Sequence, residues 1–93
     1  MSFRRIEYFL SVAKHLNFTK AARECYVAQA AISQQIKQFE EELGFKLFNR
    51  GGASVSLTPA GEAELQQFIQ NYNELSQAVG NLLSALKGDA DHE

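Results

Sequence analysis

Seven apolar residues, Leu65, Phe68, Tyr72, Leu75, Val79, Leu82 and Leu86, follow one another at alternating steps of three and four. That is the heptad seam of a helix that packs along a second helix. No proline interrupts the run, and Thr58-Pro59 opens it with a capping hydroxyl followed by a residue whose missing N–H costs nothing in a first turn. A helix over 59–87 would extend about 43 Å at 1.5 Å per residue, too far for the short segment ahead of it to cover. The spacing therefore predicts a dimerisation helix with a homodimer partner. Gly80 weakens it by only about 1 kcal/mol relative to alanine. Residues 88–93, Gly-Asp-Ala-Asp-His-Glu, read as an acidic flexible tail.

A chain of 93 residues, 45% hydrophobic and 22% charged, has material for one small core ahead of that helix. Its single cysteine, Cys25, can neither close an internal disulfide nor build a Cys-rich zinc site, so no metal or cofactor is expected. No apolar run approaches the roughly 18 residues of a membrane span, and no signal-peptide core stands at the start. The expected place is the cytoplasm, with no membrane partner.

Charge divides along the chain. Residues 1–50 hold eight Lys and Arg against five Glu, and residues 51–93 hold Lys87 alone against six acids. The net charge of −2 hides a basic first half, the footprint expected of a surface that meets nucleic acid.

In that half, Ile6, Phe9, Leu10, Ala13 and Leu16 space as one stripe of a first helix over 3–16. Thr19 reads as the N-cap of a short second helix, roughly 20–25, whose Ala21 and Ala22 permit close approach of a neighbour. After a turn near Tyr26 to Ala28, Ile32, Ile36, Phe39 and Leu43 repeat on a third helix, 29–43, closed by Gly44. Two β-like runs, 46–49 and 55–57, flank Gly51-Gly52, which predicts a tight hairpin. The fold class is mainly α: a winged helix-turn-helix over 1–58, its helix-turn-helix at 18–37, followed by the linker helix.

The outer side of the third helix carries the chemistry. Gln29 can pair bidentately with adenine, Ser33 and Gln34 offer donor and acceptor, and Lys37 can reach a phosphate or guanine. Alone, such a stripe merely solvates a surface helix. Arg50 beside the Gly-Gly turn adds a basic contact for the DNA backbone or minor groove.

Phe18-Thr19-Lys20-Ala21-Ala22, then Val27 through Ile36, Glu41-Glu42-Leu43-Gly44, Leu47-Phe48-Asn49-Arg50 and Leu57-Thr58-Pro59-Ala60-Gly61-Glu62 resemble the N-terminal domain of LysR-type transcriptional regulators. The resemblance covers about residues 3–87. It implies an antiparallel pair of linker helices and binding to double-stranded DNA at partly palindromic promoter sites. It further implies base contacts from Gln29, Ala30 and Ser33, backbone contacts from Thr19, Gln34 and Lys37, and a wing contact from Arg50, with Lys20 also among the expected DNA-binding residues. Four positions depart from the family pattern. Ala28 stands where Ser or Thr is usual, Ala30 where Pro or Ser is common, Cys25 where Leu is usual, and the wing lacks a further basic residue. Family members normally continue as an effector-binding domain, which these residues do not include; no small-molecule ligand is therefore expected here, and a higher oligomer belongs to the form that carries that domain.

Other constellations reduce to simpler readings. His15 has no nucleophile or orienting acid, since every Asp lies at 89 or beyond, and reads as an exposed helix residue rather than part of an enzyme. Cys25 reads as a small buried apolar residue. Glu40, Glu41 and Glu42 read as a solvated helix end, because three consecutive helical residues cannot face one ion. Two functions remain: a dimeric, sequence-specific DNA-binding domain, and a short module that captures a longer paralogue through the linker helix.

Overall fold

The computed structural model describes residues 3–52 and 54–91, with side chains of the last helix as far as Lys87. Its elements are α1 (Phe3–His15), α2 (Phe18–Glu24), α3 (Gln29–Leu43), β1 (Phe48–Asn49), β2 (Ser56–Leu57) and α4 (Pro59–Asp91). The first three helices pack on one another and enclose Phe9, Val12, Ile32, Ile36, Phe39 and Leu47 completely. Phe9 is the hub, with the rings of Phe39, Phe48 and Phe68 centred 5.6 to 6.1 Å away in edge-on or tilted contact.

α3 starts and stops as its sequence predicts. Ala28 is the N-cap in extended conformation with no side-chain bond to offer, and Gly44 closes the helix at φ 84°. Ala21 and Ala22 are buried where α2 meets its neighbours.

The stripe of α1 differs from the expected one. Tyr8, Phe9, Ser11 and Val12 are buried, whereas Leu10 and Leu16 are 37% and 41% exposed. Two overlapping stripes share Phe9, and the choice falls to the one that includes Ser11, whose hydroxyl is satisfied by Glu24 at 3.0 Å. α2 begins two residues earlier than expected, and its cap is Asn17 rather than Thr19. Asn17 Oδ1 accepts from the Lys20 amide at 2.9 Å, which frees Phe18 to enter the core.

The hairpin is shorter and wider than a tight turn. Phe48 pairs with Leu57 and Asn49 with Ser56, so residues 50–55 form the connection, with Gly52 at φ 78°. Lys46 and Leu47 stand outside the ladder, because Leu47 is held instead by a side chain of α3.

Thr58 caps α4 as predicted, accepting from the Gly61 amide at 2.9 Å while donating to the Lys46 carbonyl at 2.6 Å. A Cβ on Gly61 would collide with the Leu47 carbonyl, so the first turn lies directly on the root of the wing. α4 continues to Asp91, past the expected end at 87, so the stretch read as a flexible tail is helical through Asp91; residues 92–93 lie outside the described residues. Leu65 and Phe68, the first two members of the seam, pack against the core of the head. Beyond them Tyr72, Leu75, Val79, Leu82 and Leu86 are 46–70% exposed.

Candidate nucleic-acid interface

The face of α3 opposite Ile32, Ile36 and Phe39 presents Gln29, Ala30, Gln34 and Lys37 exposed and Ser33 half-buried. All five sequence-predicted α3 residues therefore lie along one open side. Thr19 and Lys20, on the second and third residues of α2, are exposed at one end of that side, and Thr19 Oγ1 donates to Gln29 Oε1 at 3.3 Å. The contact joins the two helices of the helix-turn-helix through the residues that face outward.

Arg50 does not project from the wing. Its guanidinium folds back over the ring of Phe18, 4.4 Å from the centroid, and donates from Nη1 to Ser33 Oγ at 3.0 Å. Nη2 lies 3.6 Å from Glu40 Oε1. Glu40 is only 4% exposed, contrary to its reading as part of a solvated helix end. Its other oxygen accepts from the backbone amides of Leu47 at 2.7 Å and Phe48 at 3.2 Å. A buried carboxylate requires such partners, and here they come from the strand it must hold. Sequence reasoning missed this role because Glu40 sits inside a run of three glutamates. Of the other two, Glu41 is exposed and Glu42 pairs with Arg5.

Between α3 and the wing runs an open cleft of about 400 Å³, lined by Lys37, Glu40, Lys46, Phe48, Asn49 and Arg50. Lys46 was not singled out from the sequence; its signal is a lysine two residues after the glycine that ends α3. With Glu40 already paired, the cleft is lined by three cations, Lys37, Lys46 and Arg50.

Where α1 meets the end of α2, Glu24 accepts from Ser11 and Lys14, each at 3.0 Å, and lies 2.8 Å from His15 Nε2. Hydrogen bonds from His15, Lys14 and Ser11 pull its carboxyl down from an ordinary 4.5 to about 2. His15 is thus half-buried against an acid rather than free at the surface. Cys25 is half-buried at the end of α2 and touches the core. Among the described residues no group of three His, Cys, Asp or Glu could hold a metal, and no helix is long and apolar enough to cross a membrane.

Residues 3–62 match the family described as bacterial regulatory helix-turn-helix protein, lysR family. The chain belongs to the LysR family. Relatives of this LysR-family chain include the glycine cleavage system transcriptional activator of Escherichia coli strain K12, 40% identical over 77 residues, which are 83% of this chain and 25% of that protein. The RuBisCO operon transcriptional regulator of Allochromatium vinosum is 36% identical over 88 residues, 95% of this chain and 29% of its own length. The chain thus spans less than a third of the curated relatives it matches. Among solved structures, the BenM DNA-binding domain in complex with catB site 1 DNA superposes with a TM-score of 0.75 at 39% identity, covering 86% of this chain and 90% of that one. The CbnR DNA-binding domain in its DNA complex gives 0.74 at 34% identity, covering 91% and 97%. The winged helix-turn-helix of this LysR-family domain is the fold of those structures.

Proposed function

We propose that this LysR-family domain binds specific double-stranded promoter DNA as a homodimer, with α3 in the major groove of each half of a partly palindromic site. Gln29, Ala30 and Ser33 face the base edges. Thr19, Lys20, Gln34 and Lys37 hold the sugar-phosphate backbone, and Arg50 with Lys46 meets it at the root of the wing. The carrying observation is the open polar side of α3, bounded by Thr19 at one end and by the basic cleft at the other. A helix that enters a groove needs that arrangement, since phosphate contacts fix its register while its exposed amides and hydroxyls read bases.

Gel-shift titration of genomic fragments upstream of the gene, over a salt series, tests the reading. Lys37→Ala should weaken all bound fragments alike and reduce the salt slope by about one, whereas Gln29→Ala should change site preference by about 1–3 kcal/mol at one position per half-site. Equal losses at every base position for Gln29→Ala would remove that residue from readout.

The exposed apolar face of α4 favours a second use of the same chain, as a module that pairs with a longer paralogue and alters its DNA binding. Mixed dimers formed on co-expression, with no DNA retention by the short chain alone, would select that reading.

A further inference from the structure

We propose that Arg50 and Glu40 set the hydrogen-bond sense of Ser33, so that its hydroxyl presents a proton, and not a lone pair, to the base it meets. The inference rests on the DNA-binding reading above and adds to it the class of base edge that one residue selects. A serine hydroxyl has one proton and two lone pairs and rotates freely, so it ordinarily reads donors and acceptors alike. Ser33 is not in that position. A guanidinium can only donate, and Arg50 Nη1 takes one of the two lone pairs of the Ser33 oxygen at 3.0 Å, which turns the O–H to the other side. The donor is itself held by two groups, one of them anchored in turn. Phe18 lies under its plane, Glu40 Oε1 draws Nη2 from 3.6 Å, and Glu40 is anchored through its other oxygen to the Leu47 and Phe48 amides.

With a cation on its oxygen, the Ser33 O–H points away from Arg50. A hydrogen presented in that direction pairs with guanine O6 or N7, adenine N7 or thymine O4, and is repelled by the cytosine amino group. Arg50 and Glu40 are then positioning residues for specificity, and Glu40 acts without reaching DNA at all. The one internal competitor is the carbonyl of residue 29 one turn back, to which a helical serine can donate. In that case Ser33 would turn its remaining lone pair to the base and favour an amino group there, the opposite preference.

Selection of bound sequences from a randomised duplex pool separates these cases. The wild-type chain should disfavour cytosine about fivefold at one position per half-site, the size of one hydrogen bond. Ser33→Ala should flatten that position and no other, and Ser33→Thr should restore it. Arg50→Met, which keeps a long side chain over Phe18, should admit cytosine there while weakening binding to every sequence. Glu40→Gln keeps an acceptor for the two strand amides but drops the charge that holds Arg50. It should relax the same position, and it carries the test if melting shows Arg50→Met to be unfolded. Unchanged cytosine discrimination in a folded Arg50→Met or Glu40→Gln chain overturns the inference alone, as does a Ser33→Ala chain with the wild-type preference. A wild-type chain that enriches no sequence overturns the DNA-binding reading and this inference with it.

Discussion

Glu24 ties α1 to α2 through Lys14, His15 and Ser11. Its carboxyl sits at about 2 when folded against 4.5 ordinarily, so the folded state holds the ionised form more tightly than the unfolded chain does. That contribution is complete above 4.5 and is lost as the pH falls through to about 2. Glu24→Gln should therefore lower the melting temperature at pH 7, and the gap between the two melting curves should close across that acid window. A constant gap would show that packing, not ionisation, is lost. Ala28 offers the opposite case, a cap position whose side chain has nothing to give. Ala28→Ser should stabilise by about 1 kcal/mol in thermal unfolding and tighten DNA binding, with the preferred sequence unchanged, because the turn that carries Gln29 enters the complex already ordered. An unchanged melting temperature would mean that solvent or the neighbouring carbonyl already serves those amides. Ala28 was legible from sequence, since a cap is decided by its own side chain. Glu40 was not, since its role depends on two strand amides that folding brings to it from seven and eight residues away.

Both ends of α3 and the start of α4 were legible to the residue, whereas the start of α2, capped by Asn17 and not Thr19, and the elements bounded by packing were not. α3 runs from a capless alanine to a left-handed glycine, and both ends are written in the chain. α1 has two stripes that share Phe9, and only its docking on α2 and α3 chooses between them. The hairpin shows the same division: Gly52 adopts the expected positive φ, yet the ladder is set by Glu40 and Thr58 holding the backbone of 46–48, so six residues span the turn. α4 allows two glycines of one helix to be set against each other. Gly80 has open space around it, and Gly80→Ala should raise stability by about 0.5–1 kcal/mol through helix propensity. Gly61→Ala has the same propensity gain and meets the Leu47 carbonyl, so it should lose about 1–3 kcal/mol by displacing the wing root. Thermal unfolding of the two variants side by side checks both signs, and equal shifts would place α4 away from the wing.

As a whole the molecule is elongated, 62 by 27 by 22 Å, with a radius of gyration of 17.2 Å where a compact chain of this length would have about 12 Å. The excess is α4. Its distal apolar face, Leu75, Val79 and Leu82 among it, is open, and in the dimer proposed above it is the surface that a second copy covers. Val79→Asp should convert dimers to monomers in light scattering at tens of micromolar, because a carboxylate would have to be buried against the second helix. A monomeric wild type at that concentration would remove the paired-helix reading. Leu65 and Phe68 spend the first turns of the seam on the head instead, which divides one continuous helix into parts of different molecularity. The part seated on Phe9 and Phe39 owes its order to its own chain and keeps it at any dilution. In the proposed dimer the part beyond owes its order to mass action. On dilution, amide exchange should quicken from about Tyr72 onward while the turns through Phe68 stay protected, which would make the reach between the two heads of the proposed dimer a property of how many copies the cell holds.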